Sequence, residues 1–151
     1  GARFGQQQAV EIAALVETAD LALLPFAAAS PKLTTALGDK NPRVRFWAVT
    51  ACSCFGMKAA SLAKQVKPLL RDKDDMVRVR AVEFLAIIRE ADPRPTLYDV
   101  LATNGSNAAA AITMNTLVFL RDHHGYEFDL ATIKVKANEP LVQRRLEYLA
   151  K

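Results

Sequence analysis

The chain has 151 residues, 51% of them hydrophobic and 24% charged, with a formal net charge of +4 and only six glycines and seven prolines. That length fits one compact domain or a short repeat array and can bury about two thirds of its unfolded surface without staples. The composition argues against disorder and against a sheet protein with many tight turns. The charge is mild and mixed, so there is no polybasic tail.

From the N-terminus, Phe4 to Thr18 reads as a lead-in helix with Ala9, Ile12, Ala13 and Val16 as its apolar stripe. The chain does not begin with Met, which fits an excised fragment or a processed product. Ser30-Pro31 reads as a helix start, with Ser as cap and Pro in the first turn, opening a short helix to Leu37.

An internal repeat follows. Leu37-Gly-Asp-Lys-Asn-Pro-Arg-Val-Arg45 matches Leu70-Arg-Asp-Lys-Asp-Asp-Met-Val-Arg78 at an offset of 33 residues, and Ala48-Val49 then matches Ala81-Val82. Such an offset is the mark of stacked repeats. In the first copy Val44, Ala48, Ala51, Cys52 and Phe55 fall on one helical stripe. In the second, Val77, Ala81, Phe84, Leu85 and Ile88 do so. Leu62 to Leu70 supplies a helix between them, with Val66, Leu69 and Leu70 as its apolar side. Each unit is helix, acidic turn, helix, and must stack on neighbours to bury its faces.

A degraded third unit runs from Pro95 to Leu101 as first helix, through the Thr103–Asn107 turn, to Ala108–Leu120 as second helix, without the Asp and Val-Arg signature. After Gly125, Tyr126 to Asn138 reads as an extended strap, and Glu139-Pro140 opens a last helix carrying Leu141, Val142, Leu146 and Leu149. The reading is therefore all-α. A right-handed α-α superhelix spans 1–125, with a lead-in helix at 4–18 and units at about 30–56, 59–90 and 94–122. Residues 126–151 are a strap and final helix packed on it. No unbroken apolar run reaches the roughly 18 residues of a membrane span.

The spacing Asp-x-x-x-x-Val-Arg, at Asp39 with Val44-Arg45 and at Asp72 with Val77-Arg78, resembles the HEAT repeat pattern, as does Pro68 inside the first helix of a pair. The resemblance implies an inter-repeat ladder of Asp39, Arg45, Asp72 and Arg78. A carboxylate before a helix N-terminus satisfies free amides and the macrodipole, and the planar Arg fork meets carboxylates in bidentate fashion. A narrower resemblance covers nearly the whole chain. The order Asn41-Pro-Arg-Val-Arg-Phe-Trp-Ala48, Val77-Arg-Val-Arg-Ala-Val-Glu83, Asn115-Thr-Leu117 and Val142-Gln-Arg-Arg-Leu-Glu-Tyr-Leu149 looks like the C-terminal HEAT-like extension of some bacterial sulfatases of the arylsulfatase type.

Sulfatases convert a Cys or Ser in Cys/Ser-x-Pro-x-Arg to formylglycine. No such motif occurs here, because Cys52 is followed by Ser-Cys and Cys54 by Phe-Gly. The resemblance thus implies a non-catalytic accessory segment. Its partner would be an N-terminal catalytic domain of a periplasmic or secreted sulfatase. That domain would hold the formylglycine and a divalent metal such as calcium. The segment itself is expected to hold no catalytic residue, cofactor or metal and to meet no membrane. A homo-oligomer is compatible with it.

Other candidates have plain structural readings. His123-His124 lie about 100° apart on a helix and suit a helix C-terminus before Gly125. Cys52 lies on the apolar stripe, and neither cysteine has a histidine near it in sequence to serve as base. Arg43, Arg45, Arg78 and Arg80 form either a guanidinium row facing anions or a ladder plus a solvated face. Phe46 and Trp47 either make a stacking platform or fill a groove between helices. Arg43, Arg80, Phe46 and Trp47 are the candidate interaction surface. The competing readings are a free-standing protein-interaction scaffold and a nucleic-acid binder, the latter disfavoured by the mixed charge.

Overall fold

The computed structural model describes residues 2–138 and 140–151. Its elements are helical throughout, with no strand among the described residues. They run α1 (Ala2–Asp20), α2 (Phe26–Leu37), α3 (Pro42–Phe55), an outer segment Gly56–Arg71 whose middle turn is α4 (Ala63–Val66), α5 (Asp75–Ile87), α6 (Arg94–Thr103), α7 (Asn107–His124) and α8 (Pro140–Leu149). Two layers result. In the ladder layer α1 packs on α3, α3 on α5, α5 on α7, and α7 on α8. The flanking layer comprises α2, the 56–71 segment and α6.

Local chemistry sets the starts. Asn41 accepts the Arg43 amide at the head of α3, Asp74 accepts those of Met76 and Val77 at α5, and Ser106 accepts that of Ala109 at α7. Helix α2 starts at Phe26, earlier than the Ser30-Pro31 signal implies, with Pro31 inside it. Phe26-Ala-Ala-Ala is strongly helix-forming, and Pro25, in an extended conformation, supplies the entry. The helix expected over 62–70 is broken into 3-10 turns at Gly56–Leu62 and Lys67–Arg71 around the short α4. Pro68 has no amide to give the carbonyl four residues back, so the α pattern cannot run through. The last helix begins by Pro140, and the Glu139 half of its expected start lies outside the described residues.

Pro42–Arg71 is, by length and composition, a helical tract apolar enough to cross a membrane. It reaches that threshold by mean hydropathy over two helices that the sequence reads separately. It turns sharply at Gly56, where φ is +58°, and its two limbs pack on each other and on α2 and α5.

The core has two lobes sharing α5. One takes Leu33, Leu37, Val49, Cys52, Val66, Val77, Phe84 and Leu85, and the other takes Val79, Val82, Ala86, Leu97, Leu101, Met114, Leu117 and Leu120. Helix α5 is buried on nearly every side, so the single stripe seen in its sequence is only half of what it packs. The strap ties the third unit down. The Lys136 amide donates to Leu101, and the Tyr126 hydroxyl donates to the Ala86 carbonyl. α8 then covers α7 with Val142 and Leu149 buried. At the other end α1 buries only Thr18, with Glu11, Leu15 and Ala19 half-buried. Its expected apolar stripe, Ala9, Ile12, Ala13 and Val16, faces away from the stack.

Candidate functional site

The turn before α5 places Asp72 where its carboxylate receives the Asp74 amide at 2.9 Å. Arg45, on the first turn of α3, reaches across with Nε at 2.8 Å and a terminal nitrogen at 2.9 Å, the two-pronged geometry a guanidinium favours. Its other terminal nitrogen donates to the Asp39 carbonyl. Burial pushes the Asp72 carboxyl up, but the bonds from Arg45 and the Asp74 amide, with the Arg45 charge, outweigh it and hold the group below the usual carboxylate range. The bond to Asp72 likewise raises Arg45.

Asp39 has the same turn geometry, accepting the Asn41 amide at 2.8 Å. No cation meets its side chain, and the position 33 residues before Arg45 is Ile12. Arg78 does not meet Asp72. It pairs at 3.0 Å with Asp75 on its own helix and at 3.0 Å with Asp99 on α6. Burial lowers the Arg78 guanidinium, and those two bonds more than restore it. The third rung thus uses Asp99, an acceptor invisible to the repeat offset, because 33 residues after Asp72 stands Gly105.

A second cross-connection runs through the ladder layer. The Arg80 guanidinium lies 5.1 Å from the Phe46 ring centroid and pairs at 3.0 Å with the buried Glu83. Glu83 also accepts the Thr116 hydroxyl at 3.0 Å. Thus α3, α5 and α7 are joined by one cation–π contact and two hydrogen bonds to a buried carboxylate. The Arg80 Nε is buried without a partner. Nothing in the sequence marks this network except its spacing, Phe46 to Arg80 and Glu83 to Thr116, which lies within a residue of the repeat offset.

Of the four candidate surface residues, Arg80 and Phe46 are therefore tied between helices. Arg43 is exposed and pairs with Glu11 at 3.2 Å. Trp47 is at the rim, its ring edge-on to Phe46. The histidines stand at the end of α7, both rings against Phe119, and Gly125 closes the helix in the left-handed region with the Tyr126 amide on the Leu120 carbonyl. Burial, then the Arg89 charge, lowers the His124 pKa. Cys52 is buried and its thiol pushed up to about 12 by desolvation, which leaves it un-ionised; Cys54 is exposed. Among the described residues no three His, Cys, Asp or Glu side chains come together as metal ligands.

Comparison with known proteins agrees with this architecture. A family model described as HEAT repeats matches residues 31–115, from α2 through the middle of α7. Neither a curated protein nor a solved structure matches the chain significantly. Stacked helical pairs, an Asp–Arg rung between units and a family match over more than half of the chain lead to one conclusion: the chain belongs to the HEAT repeat family.

Proposed function

We propose that the chain is a non-catalytic helical-repeat accessory segment that docks on the catalytic domain of a sulfatase. One observation carries the docking. The apolar stripe of α1 faces solvent, with Ile12 60% and Val16 53% exposed, and Leu23 beyond it is 81% exposed. A groove of about 500 Å³ beside it is lined by Ala13, Val16, Leu21 and Leu24, with Glu17, Asp20 and Lys32 at its edge. A repeat stack ordinarily closes its ends with polar faces, and a contiguous exposed apolar patch marks an interface. The opposite end has such a closure in the strap and α8.

The sulfatase assignment rests on the ordered resemblance from Asn41 to Leu149. Under this reading the sulfuric ester hydrolase chemistry, its formylglycine and its calcium belong to the other domain. The test has two steps. Coding sequence upstream of residue 1 is read for Cys/Ser-x-Pro-x-Arg, and its absence sinks the sulfatase assignment. Where the motif is found, the catalytic domain expressed separately is expected to bind this chain, and Ile12→Lys with Val16→Lys to abolish binding. Unchanged binding by that double variant removes the α1 face from the interface.

The second reading is a protein-interaction scaffold using Arg43 and Trp47, which share one exposed face of α3 one turn apart.

A further inference from the structure

Charge looks mixed over the whole chain but separates by segment. Between Asp39 and Asp72 there is no Asp or Glu, while Lys and Arg recur throughout. Within that tract the 56–71 segment turns Ala59, Leu62, Ala63, Val66 and Leu69 into the core and leaves Lys58, Lys64, Lys67 and Arg71 exposed. Its geometry aligns them. In a 3-10 helix residues three apart eclipse, with a rise of about 6 Å per turn. Lys58, Ser61, Lys64 and Lys67 therefore form one row, and Arg71 follows a turn later. Only Lys67 has an acidic partner, Glu90 at 3.0 Å, and both side chains of that pair are about half exposed.

The residues between the cations select the kind of partner. Exposed Ser61, Gln65 and Pro68 offer no aromatic face on which a base could stack. The apolar side of the segment is buried, so no hydrophobic wedge is left for a bilayer. Protein interfaces are depleted in lysine at their centres. What remains is a row of point charges on flexible stems, spaced for a linear polyanion whose groups stay ionised at all working pH values. We infer that the exposed row Lys58, Lys64, Lys67 and Arg71 binds a sulfated polysaccharide and holds it against the molecule. The choice of sulfate as the anion rests on the sulfatase reading above; the row itself does not.

The test is equilibrium binding of the chain to heparin over a salt series. A triple variant, Lys58→Glu with Lys64→Glu and Arg71→Glu, is compared with a control of equal charge change, Lys134→Glu with Arg144→Glu and Lys151→Glu. Circular dichroism and melting confirm that both fold. The row variant is expected to lose at least about tenfold in affinity and to flatten the dependence of log K on log salt by about two to three units, as phosphate-type contacts do. The control is expected to stay within about twofold. Equal loss in both variants would falsify the row as a site. Tighter binding of a duplex DNA, of polyglutamate or of phosphatidylserine vesicles than of heparin overturns the sulfated ligand and assigns the row to that class. The upstream coding sequence decides the sulfatase reading separately, so the two can fail independently.

Discussion

At the residue scale the rung between Arg45 and Asp72 has the clearest energetic weight. Both side chains are largely shielded, at 16% and 6% exposed, so removing one partner strands a charge. Asp72→Asn is expected to cost about 3 kcal/mol at neutral pH. The pH dependence follows from the lowered carboxyl. An unfolded Asp titrates near about 3.9, and the folded group titrates lower. Its contribution is complete above the unfolded value and is lost as the pH falls through the folded one. Melting of parent and variant from about pH 7 down to about pH 2 should show their difference shrinking below about pH 4. A constant difference would mean the carboxylate charge is not what stabilises. Sequence spacing alone pointed to these two residues, because donor and acceptor both recur in the repeat. It could not point to Asp99 or to the Arg80–Glu83–Thr116 network, whose members come from different helices and answer to packing rather than to a shared offset.

At the element scale the instructive feature is how the ladder helices stop. α3 ends at Gly56 and α7 at Gly125, both with positive φ. Between them, 33 residues after Gly56, α5 ends at Arg89 with φ +63°. Its amide returns to the Ala86 carbonyl and the Glu90 amide to that of Leu85, the paired bonds of a Schellman closure. A residue with a Cβ is strained there by about 1 kcal/mol. The compensation is visible: the Arg89 guanidinium stacks 4.6 Å from the Tyr126 ring centroid and donates to the His124 carbonyl, linking the end of α5 to the end of α7. Arg89→Gly and Arg89→Ala both lose those contacts, and only Ala keeps the strain. Chemical denaturation should therefore find Arg89→Ala less stable than Arg89→Gly by about 1 kcal/mol. Equal stabilities would show the backbone relaxing out of the left-handed region. Helix periodicity read α5 as an ordinary amphipathic helix because a stripe test counts one face, and the second lobe of core that α5 also faces is built from residues far along the chain.

At the scale of the whole molecule the two ends are unlike. The strap fastens the third unit by long-range backbone and hydroxyl bonds, whereas α1 rests on α3 through little more than Leu15 and Thr18 and the exposed Arg43–Glu11 pair. The sequence showed an apolar stripe on α1 but not which way it turns, since periodicity gives a face and not its azimuth. Stability in a linear stack is close to a sum of nearest-neighbour terms. It therefore falls off from the doubly covered α5 toward the thinly attached end. The consequence is a directional unzipping. Native-state amide exchange should be fastest in α1, slower in α2 and slowest in α5, with local opening free energies rising in that order. A partner seated on α1 would raise the protection of α1 first and travel inward no further than the terms it adds, so that occupancy at one end reads out as a gradient along the stack.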